Sequence, residues 1–99
     1  MRINVSKRAR RQVQRIDAWW REHRDKAPNL FKEELSEAEL FLSNTPHFAR
    51  VYVKRGTRSI RWLLLPKTSV KLYFCVDEKA ATVNVVSAWG GQRGREPKL

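Results

Sequence analysis

Basic and aromatic side chains alternate with apolar ones in the second half of the chain, which would place cations and rings on one side of each strand. Cations can bind phosphates and rings can stack on bases, so this pattern suits RNA. An ordinary solvated face is the alternative, because antiparallel sheets commonly expose one side. The predicted open face consists of Arg50, Tyr52, Lys54, Arg61, Leu63, Lys71 and Tyr73.

The chain ends in VNVVSAWGGQRGREPKL, where a valine-rich strand gives way to glycines, arginines and a proline. Gly90, Gly91 and Gly94 free the backbone to turn, as is common where backbone approaches a phosphate. No GxGxxG or P-loop pattern is present and no helix follows, which argues against a nucleotide site. A solvated end is one alternative. We expect the tail to lie along the sheet edge, where Arg93 and Arg95 add cations to the target-binding surface.

Length, charge and cysteine content limit the class of protein. Ninety-nine residues form a single domain, 1–99, with one modest core. The 21 Lys and Arg outnumber the 10 Asp and Glu, and the net charge of +11 predicts attraction to nucleic acid or to an acidic protein. The single cysteine, Cys75, excludes an intrachain disulfide and a multi-cysteine metal site. Without a membrane span or signal-peptide core, we expect a cytoplasmic protein that needs no metal, no cofactor and no membrane.

Two amphipathic helices are predicted after a short strand at Arg2–Val5. Ser6 is a good cap for the first helix, which should run to about Arg24, and Asn29 can cap a second that ends before Pro46. The short linker makes the two helices an antiparallel hairpin. The apolar stripes are Ala9, Val13, Ile16 and Trp20, then Phe31, Leu35, Ala38 and Leu42, while Glu33, Glu34, Glu37 and Glu39 are assigned to other faces.

From Ala49 onward the apolar residues alternate, which indicates four strands in an antiparallel meander. A strand over 82–89, rich in valine on both faces, should be central. Helices on one face of an antiparallel sheet define an α+β fold. The inward positions are Val51 and Val53, then Ile60, Trp62 and Leu64, then Val70, Leu72, Phe74 and Val76. The residues predicted to be buried between hairpin and sheet are Trp20, Leu35, Trp62, Phe74 and Val85, with Trp19 only partly buried.

The whole chain resembles the RelE/ParE superfamily of type II toxin–antitoxin toxins. The stretches that carry the resemblance are IDAWWREHR, LFKEEL, RSIRWLLLPKTSVKLYFCVD and VNVVSAWGGQRGREP, and the last two are the more specific. The resemblance implies an antiparallel helical hairpin packed on one face of a curved antiparallel sheet. It also implies a bacterial growth inhibitor that is encoded beside a masking antitoxin.

The branches of this superfamily differ in target, and the match to one of them is partial. RelE-like toxins cleave messenger RNA in the ribosomal decoding site, whereas ParE-like toxins poison DNA gyrase. The two strand lysines of the cleaving branch fall at Trp62 and Leu64, its terminal tyrosine has no counterpart, and Gly90 stands where many relatives carry a histidine. The residues that fit its basic positions are Arg55, Lys71 and Arg93.

RNA cleavage by attack of the ribose hydroxyl needs a base, an acid and cations that stabilise the developing charge. The two histidines, His23 and His47, lie on the hairpin and its exit, where surface or capping roles are expected. A lysine could still serve as the base. The residues therefore favour a ParE-like or otherwise non-cleaving toxin. The alternatives are a RelE-like, ribosome-dependent mRNA endoribonuclease and a nucleic-acid-binding module without toxicity.

The resemblance also implies the partners. A short acidic antitoxin should lay a helix along the hairpin and an extended segment against the sheet, covering apolar hairpin residues such as Trp19 and Phe41. The target is expected to be DNA gyrase or the ribosome.

Overall fold

The helices and strands follow the predicted order. The computed structural model describes residues 1–47, 50–55 and 58–90, with side chains described for 1–47 and 59–90. A short strand precedes two helices and four further strands. The elements are β1 (Arg2–Val5), α1 (Lys7–His23), α2 (Leu30–Asn44), β2 (Arg50–Arg55), β3 (Arg58–Leu65), β4 (Val70–Asp77) and β5 (Thr82–Gly90).

Both helices begin at the predicted caps. The Ser6 hydroxyl accepts a hydrogen bond from the Ala9 amide at 3.0 Å, which satisfies one of the unpaired donors at the start of α1. Asn29 occupies the cap position of α2, although its side chain makes no capping hydrogen bond. The predicted apolar stripes are confirmed, because all eight residues are buried in the core or pack against it.

The strands form one five-stranded sheet in the order β1-β5-β4-β3-β2. The last four strands pair antiparallel, as predicted, but β1 pairs parallel with β5, so the sheet is mixed. A parallel pair needs a long crossover, and the helical hairpin that separates β1 from the meander provides one. This pairing makes β4 the central strand, and the prediction that the last strand is central is wrong.

The α+β fold class is confirmed, since the hairpin packs on one face of the sheet. Of the five residues predicted to be buried, Phe74 and Val85 are buried, whereas Trp20 and Leu35 are half-buried at the border of the core. Trp19 is half-buried, as predicted. The core itself is formed by Ala9, Phe31, Ala38, Leu42, Leu65, Val70, Leu72, Phe74, Val83, Val85 and Ala88.

The predicted side-chain alternation of β3 is wrong from Trp62 to Leu65, although Ile60, which was also predicted to face inward, is buried. Leu65 pairs with Val70 and Leu63 with Leu72, and residues that face each other across two strands share a face of the sheet. Val70 and Leu72 are core residues, so Leu63 and Leu65 point toward the hairpin. Trp62 and Leu64 therefore lie on the opposite face, where Leu64 is 43% exposed.

Glu34 was predicted to lie on a different face of α2 from the apolar stripe, but the structure buries it. Its carboxylate accepts hydrogen bonds from the amides of Lys67 and Thr68 at 2.7 and 3.0 Å and from the Thr68 hydroxyl at 2.7 Å. These bonds satisfy the buried charge and join α2 to the β3–β4 turn.

Gln12 of α1 completes the edge of β5 beyond the point where β1 ends. The β1 pairing stops at Val85, and Val86 is an extra residue in the β4–β5 register. The Gln12 side-chain oxygen then accepts from the Ala88 amide at 2.9 Å and from the Ser87 hydroxyl at 3.1 Å. The Gln12 side chain thus supplies the hydrogen-bond acceptor that a longer β1 would have supplied to β5.

Candidate functional site

The sheet face opposite the hairpin carries a lysine among apolar side chains. Lys71 of β4 pairs with Leu64 of β3 on one side and with Trp89 of β5 on the other. Paired residues share a face, so these three side chains form a row across three strands. Trp62, two residues from Leu64 on the same strand, lies on the same face. We call Trp62, Leu64, Lys71 and Trp89 the Lys71 surface.

Lys71 and Trp62 interact directly. The Lys71 ammonium nitrogen lies 5.1 Å from the centroid of the Trp62 ring, within the range of a cation–π interaction. Both side chains are half-buried. The Lys71 ammonium thus lies against an aromatic ring, and a surface that combines a cation with aromatic and aliphatic groups suits a partner with both apolar and anionic groups.

Tyr73 lies on this face, as predicted, because it pairs with Trp62. Its side chain is not available for stacking, however, since only 1% of the residue is exposed. A base can stack only on an accessible ring, so the predicted stacking contact of Tyr73 is wrong. Tyr73 instead forms part of the packed floor beneath the Lys71 surface.

Arg61 and Leu63 lie on the hairpin side of the sheet, contrary to the predicted open-face list. Arg61 pairs with Phe74, which is a core residue. The Arg61 guanidinium Nη1 donates to the backbone oxygen of His47 at 3.3 Å. This contact joins β3 to the segment that follows α2, so the Arg61 side chain does not belong to the Lys71 surface.

Several predicted site residues fall outside the described part of the structure. The tail that contains Arg93 and Arg95 lies outside the described residues. Its predicted position along the sheet edge therefore stays a prediction. The side chains of β2 are also outside the description. This applies to the predicted residues Arg50, Tyr52, Lys54 and Arg55 and to the inward positions Val51 and Val53.

An acid–base pair that the sequence did not predict lies at the far end of β4. His47 Nε2 is 2.5 Å from Glu78 Oε1, at the rim of a depression of about 660 Å³ that Arg61 and Cys75 also line. A carboxylate can orient an imidazole for proton transfer. By the rise of an extended strand, however, Glu78 lies roughly 20 Å along β4 from Lys71. The pair and the Lys71 surface are therefore separate.

The second histidine also lies away from the Lys71 surface. His23 is the last residue of α1, and its ring stacks on that of Trp19 with centroids 4.7 Å apart. The Arg24 guanidinium lies 5.2 Å from the Trp19 ring. Both histidines of the chain are thus accounted for, and neither adjoins Lys71.

The hairpin carries the two residues predicted to contact an antitoxin. Trp19 lies near the end of α1, and Phe41, which is 38% exposed, lies near the end of α2. Leu40, beside Phe41, is 67% exposed. Because the helices are antiparallel, Trp19 and Phe41 lie toward opposite ends of the hairpin. A partner that covers both must extend along it.

Among the side chains described, no group of three or more His, Cys, Asp or Glu is placed to hold a metal ion. Within the described ranges, neither helix combines the length and apolar character that crossing a membrane requires.

Comparison with known proteins identifies the fold by structure alone. No protein-family model matches the chain, and no curated protein matches it by sequence. The fold is similar to a chain of the intact E. coli RelBE toxin–antitoxin complex, with a TM-score of 0.66 and 16% identity, over 93% of this chain and 98% of that one. The isolated E. coli RelE toxin is similar with a TM-score of 0.67 and 14% identity, over 93% and 85%. The RelE-like fold that the sequence implied is therefore confirmed.

Proposed function

We propose that this protein is the toxin of a type II toxin–antitoxin system, a growth inhibitor that acts by binding its target rather than by cleaving RNA. We further propose a ParE-like action, in which the target is DNA gyrase. The chemistry of the Lys71 surface carries this proposal.

The RelE-like fold and the charge support the toxin assignment. A structurally similar chain belongs to a toxin–antitoxin complex, and the net charge of +11 would attract an acidic antitoxin. The exposed Leu40 and Phe41 on α2 give such a partner an apolar anchor on the hairpin.

The Lys71 surface supports action without cleavage. The cleaving branch of the superfamily has lysines at the positions of Trp62 and Leu64, and the side chains here carry neither charge nor a transferable proton. Neither histidine adjoins Lys71. Among the described side chains, Lys71 is the one cation of this surface, and RNA cleavage requires charge stabilisation and proton transfer as separate functions.

The same surface suits a protein target. Among the described side chains, the Lys71 surface combines two tryptophans and a leucine with one lysine. This composition resembles the centre of a protein–protein interface, where aromatic anchors contribute most of the binding energy. RNA that is bound through its phosphates would require several cations in this place. A protein such as gyrase therefore fits the surface better than messenger RNA does.

Growth inhibition tests the toxin assignment and the surface together. Expression of the chain should arrest growth, and Leu64→Asp should abolish the arrest because it adds a carboxylate beside Lys71. The matched control is Leu40→Asp, the same change at an exposed leucine on the hairpin, which should remain toxic. Co-expression of a cognate acidic antitoxin should rescue growth. A harmless parent chain that captures no small acidic protein would refute the proposal.

The target is tested with purified components. We expect the chain to inhibit DNA supercoiling by gyrase, with Leu64→Asp inactive in the same assay. On programmed ribosomes the message should remain intact. Message cleavage in the decoding site that disappears in Lys71→Ala would instead establish the ribosome-dependent endoribonuclease.

A further inference from the structure

The outer face of α1 carries a concentrated row of cations. Five of the nine residues from 7 to 15 are Lys or Arg, and the first acidic residue of the chain is Asp17. Lys7, Arg11 and Arg15 are spaced four residues apart and so lie on one face of the helix. All three are exposed. The remaining two cations of this segment are Arg8 and Arg10, which are also exposed.

This row lies on the side of α1 that points away from the core. The buried stripe of the helix contains Ala9, Val13 and Ile16. At 3.6 residues per turn, Arg11 and Arg15 project from the opposite side. The hairpin separates this face from the sheet, so the cations are on the other side of the molecule from the Lys71 surface.

The arrangement is unfavourable for the helix itself. The first turn of α1 has no acidic residue, although the positive end of the helix dipole favours acidic residues there. Lys7 and Arg11, and then Arg11 and Arg15, are like charges at a spacing that destabilises a helix. The concentration of charge therefore requires an explanation other than the stability of α1.

The row matches the phosphate backbone of a nucleic-acid duplex. Lys7 to Arg15 spans about 12 Å of helix axis. One strand of a duplex presents a phosphate about every 3.4 Å of its axis, or about three to four phosphates over that length. Proteins that bind single strands add aromatic stacking platforms, and the positions on this row are cationic. A straight cationic row without rings fits a duplex backbone better than unpaired bases.

We propose that the α1 row of Lys7, Arg11 and Arg15 binds the phosphate backbone of duplex nucleic acid without reading its sequence. This binding is independent of which macromolecule contacts the Lys71 surface. A toxin with both surfaces could hold its protein target on the sheet while α1 contacts the nucleic acid on which that target acts.

The test compares two triple variants of equal charge. One is Lys7→Gln, Arg11→Gln and Arg15→Gln, and the control is Lys26→Gln, Lys32→Gln and Lys67→Gln, three exposed lysines elsewhere. Both lower the net charge of +11 by three. Affinity is measured by fluorescence anisotropy against a DNA duplex and an RNA duplex of the same sequence, over a series of salt concentrations. The two duplexes distinguish the source of the backbone.

The α1 variant should lose on the order of a hundredfold in affinity for duplex at about 0.1 M salt. Its slope of log affinity against log salt should fall by about 2–3, the contribution of three phosphate contacts. The control variant should change the slope by less than about 1. The thermal midpoint of the α1 variant should be equal to or above that of the parent, since repulsion within the helix is relieved.

Equal losses in both variants would overturn the proposal, because net charge alone would then explain binding. Undetectable binding of the parent to either duplex at low salt would also overturn it. A third contrary outcome is an α1 variant that binds duplex normally but no longer binds an acidic antitoxin, which would assign the row to the protein partner.

Discussion

The Glu34 carboxylate accepts two hydrogen bonds from Thr68, one from its amide at 3.0 Å and one from its hydroxyl at 2.7 Å. Both residues are 6% exposed, and the Lys67 amide donates a third bond to the same carboxylate. Two consecutive amides of the β3–β4 turn are thus satisfied by one helix side chain. This junction holds α2 against the β3–β4 turn. Strand β4 begins directly after that turn, and its second residue is Lys71, on the sheet face opposite the hairpin.

Replacing Glu34 should destabilise the protein strongly. In Glu34→Gln the amide nitrogen would face an N–H donor of the turn, so a buried donor loses its acceptor, and we expect a loss of about 2–4 kcal/mol. Thr68→Val removes only the hydroxyl bond and should cost about 1 kcal/mol. The exposed Glu37→Gln on the same helix is the control. Urea denaturation measures all three, and a Glu34→Gln variant as stable as the Glu37→Gln variant would contradict the prediction.

Adjacent leucines of β3 should differ sharply in their contribution to stability. Leu65 is 1% exposed in the core, whereas Leu64 is 43% exposed on the other face. Leu65→Ala should therefore lower the free energy of unfolding by about 2–5 kcal/mol, because it removes buried apolar surface and leaves a cavity. Leu64→Ala should lower it by less than about 1 kcal/mol. The urea midpoints of the two variants give the comparison. Similar losses would show that β3 does not have the alternation observed.

The β3 alternation also shows where sequence reasoning failed. Trp62 to Leu65 are four consecutive apolar residues, so a period of two cannot decide which pair faces the core. The pattern of β4, which pairs with β3, does decide it. Val70, Leu72 and Phe74 alternate clearly, and the four-residue turn 66–69 pairs Leu65 with Val70. Pairing across the turn, rather than the pattern within β3, predicts that Leu65 and Leu63 face inward.

The helical hairpin was predictable because its apolar residues recur at the helical period and Ser6 marks the start of α1. The buried position of Glu34 was not predictable, because a glutamate in a helix is usually solvated. The groups that donate to Glu34 lie in the β3–β4 turn, more than 30 residues away along the chain. The His47–Glu78 pair is likewise formed only by the fold, since β2, β3 and β4 separate its members along the chain. Contacts of this kind depend on tertiary packing, and a local pattern cannot indicate them.

The contribution of Glu39 to the free energy of unfolding should fall slightly as the pH rises. Partial burial raises the pKa of Glu39 above its ordinary value of 4.5, because the charged carboxylate is poorly solvated. The native state therefore holds this proton more tightly than the unfolded chain. The penalty is absent below 4.5 and is complete once the pH exceeds the native pKa. Glu39→Gln should thus stabilise the protein at pH 7 by less than about 1 kcal/mol.

The pH dependence of unfolding provides the check on Glu39. The gain in Glu39→Gln should disappear when the urea denaturation is repeated well below pH 4.5. Glu37→Gln, an exposed site on the same helix, should show no comparable gain. An advantage of Glu39→Gln that stays the same at acid pH would assign the effect to packing or helix propensity instead of charge.

Gln12 should protect the free edge of β5. Its side-chain oxygen is the acceptor for the Ala88 amide at 2.9 Å, beyond the end of the β1 pairing. Gln12→Met keeps the length of the side chain but removes the acceptor, so we expect a loss of about 1–2 kcal/mol and faster hydrogen exchange at Ala88. Gln14→Met, at an exposed position of α1, is the matched control and should change neither quantity.

Because Trp89 follows Ala88 directly, Gln12→Met should also loosen one end of the Lys71 surface and lower its affinity for the target. Unchanged exchange at Ala88 in Gln12→Met would show that the helix side chain does not substitute for a strand.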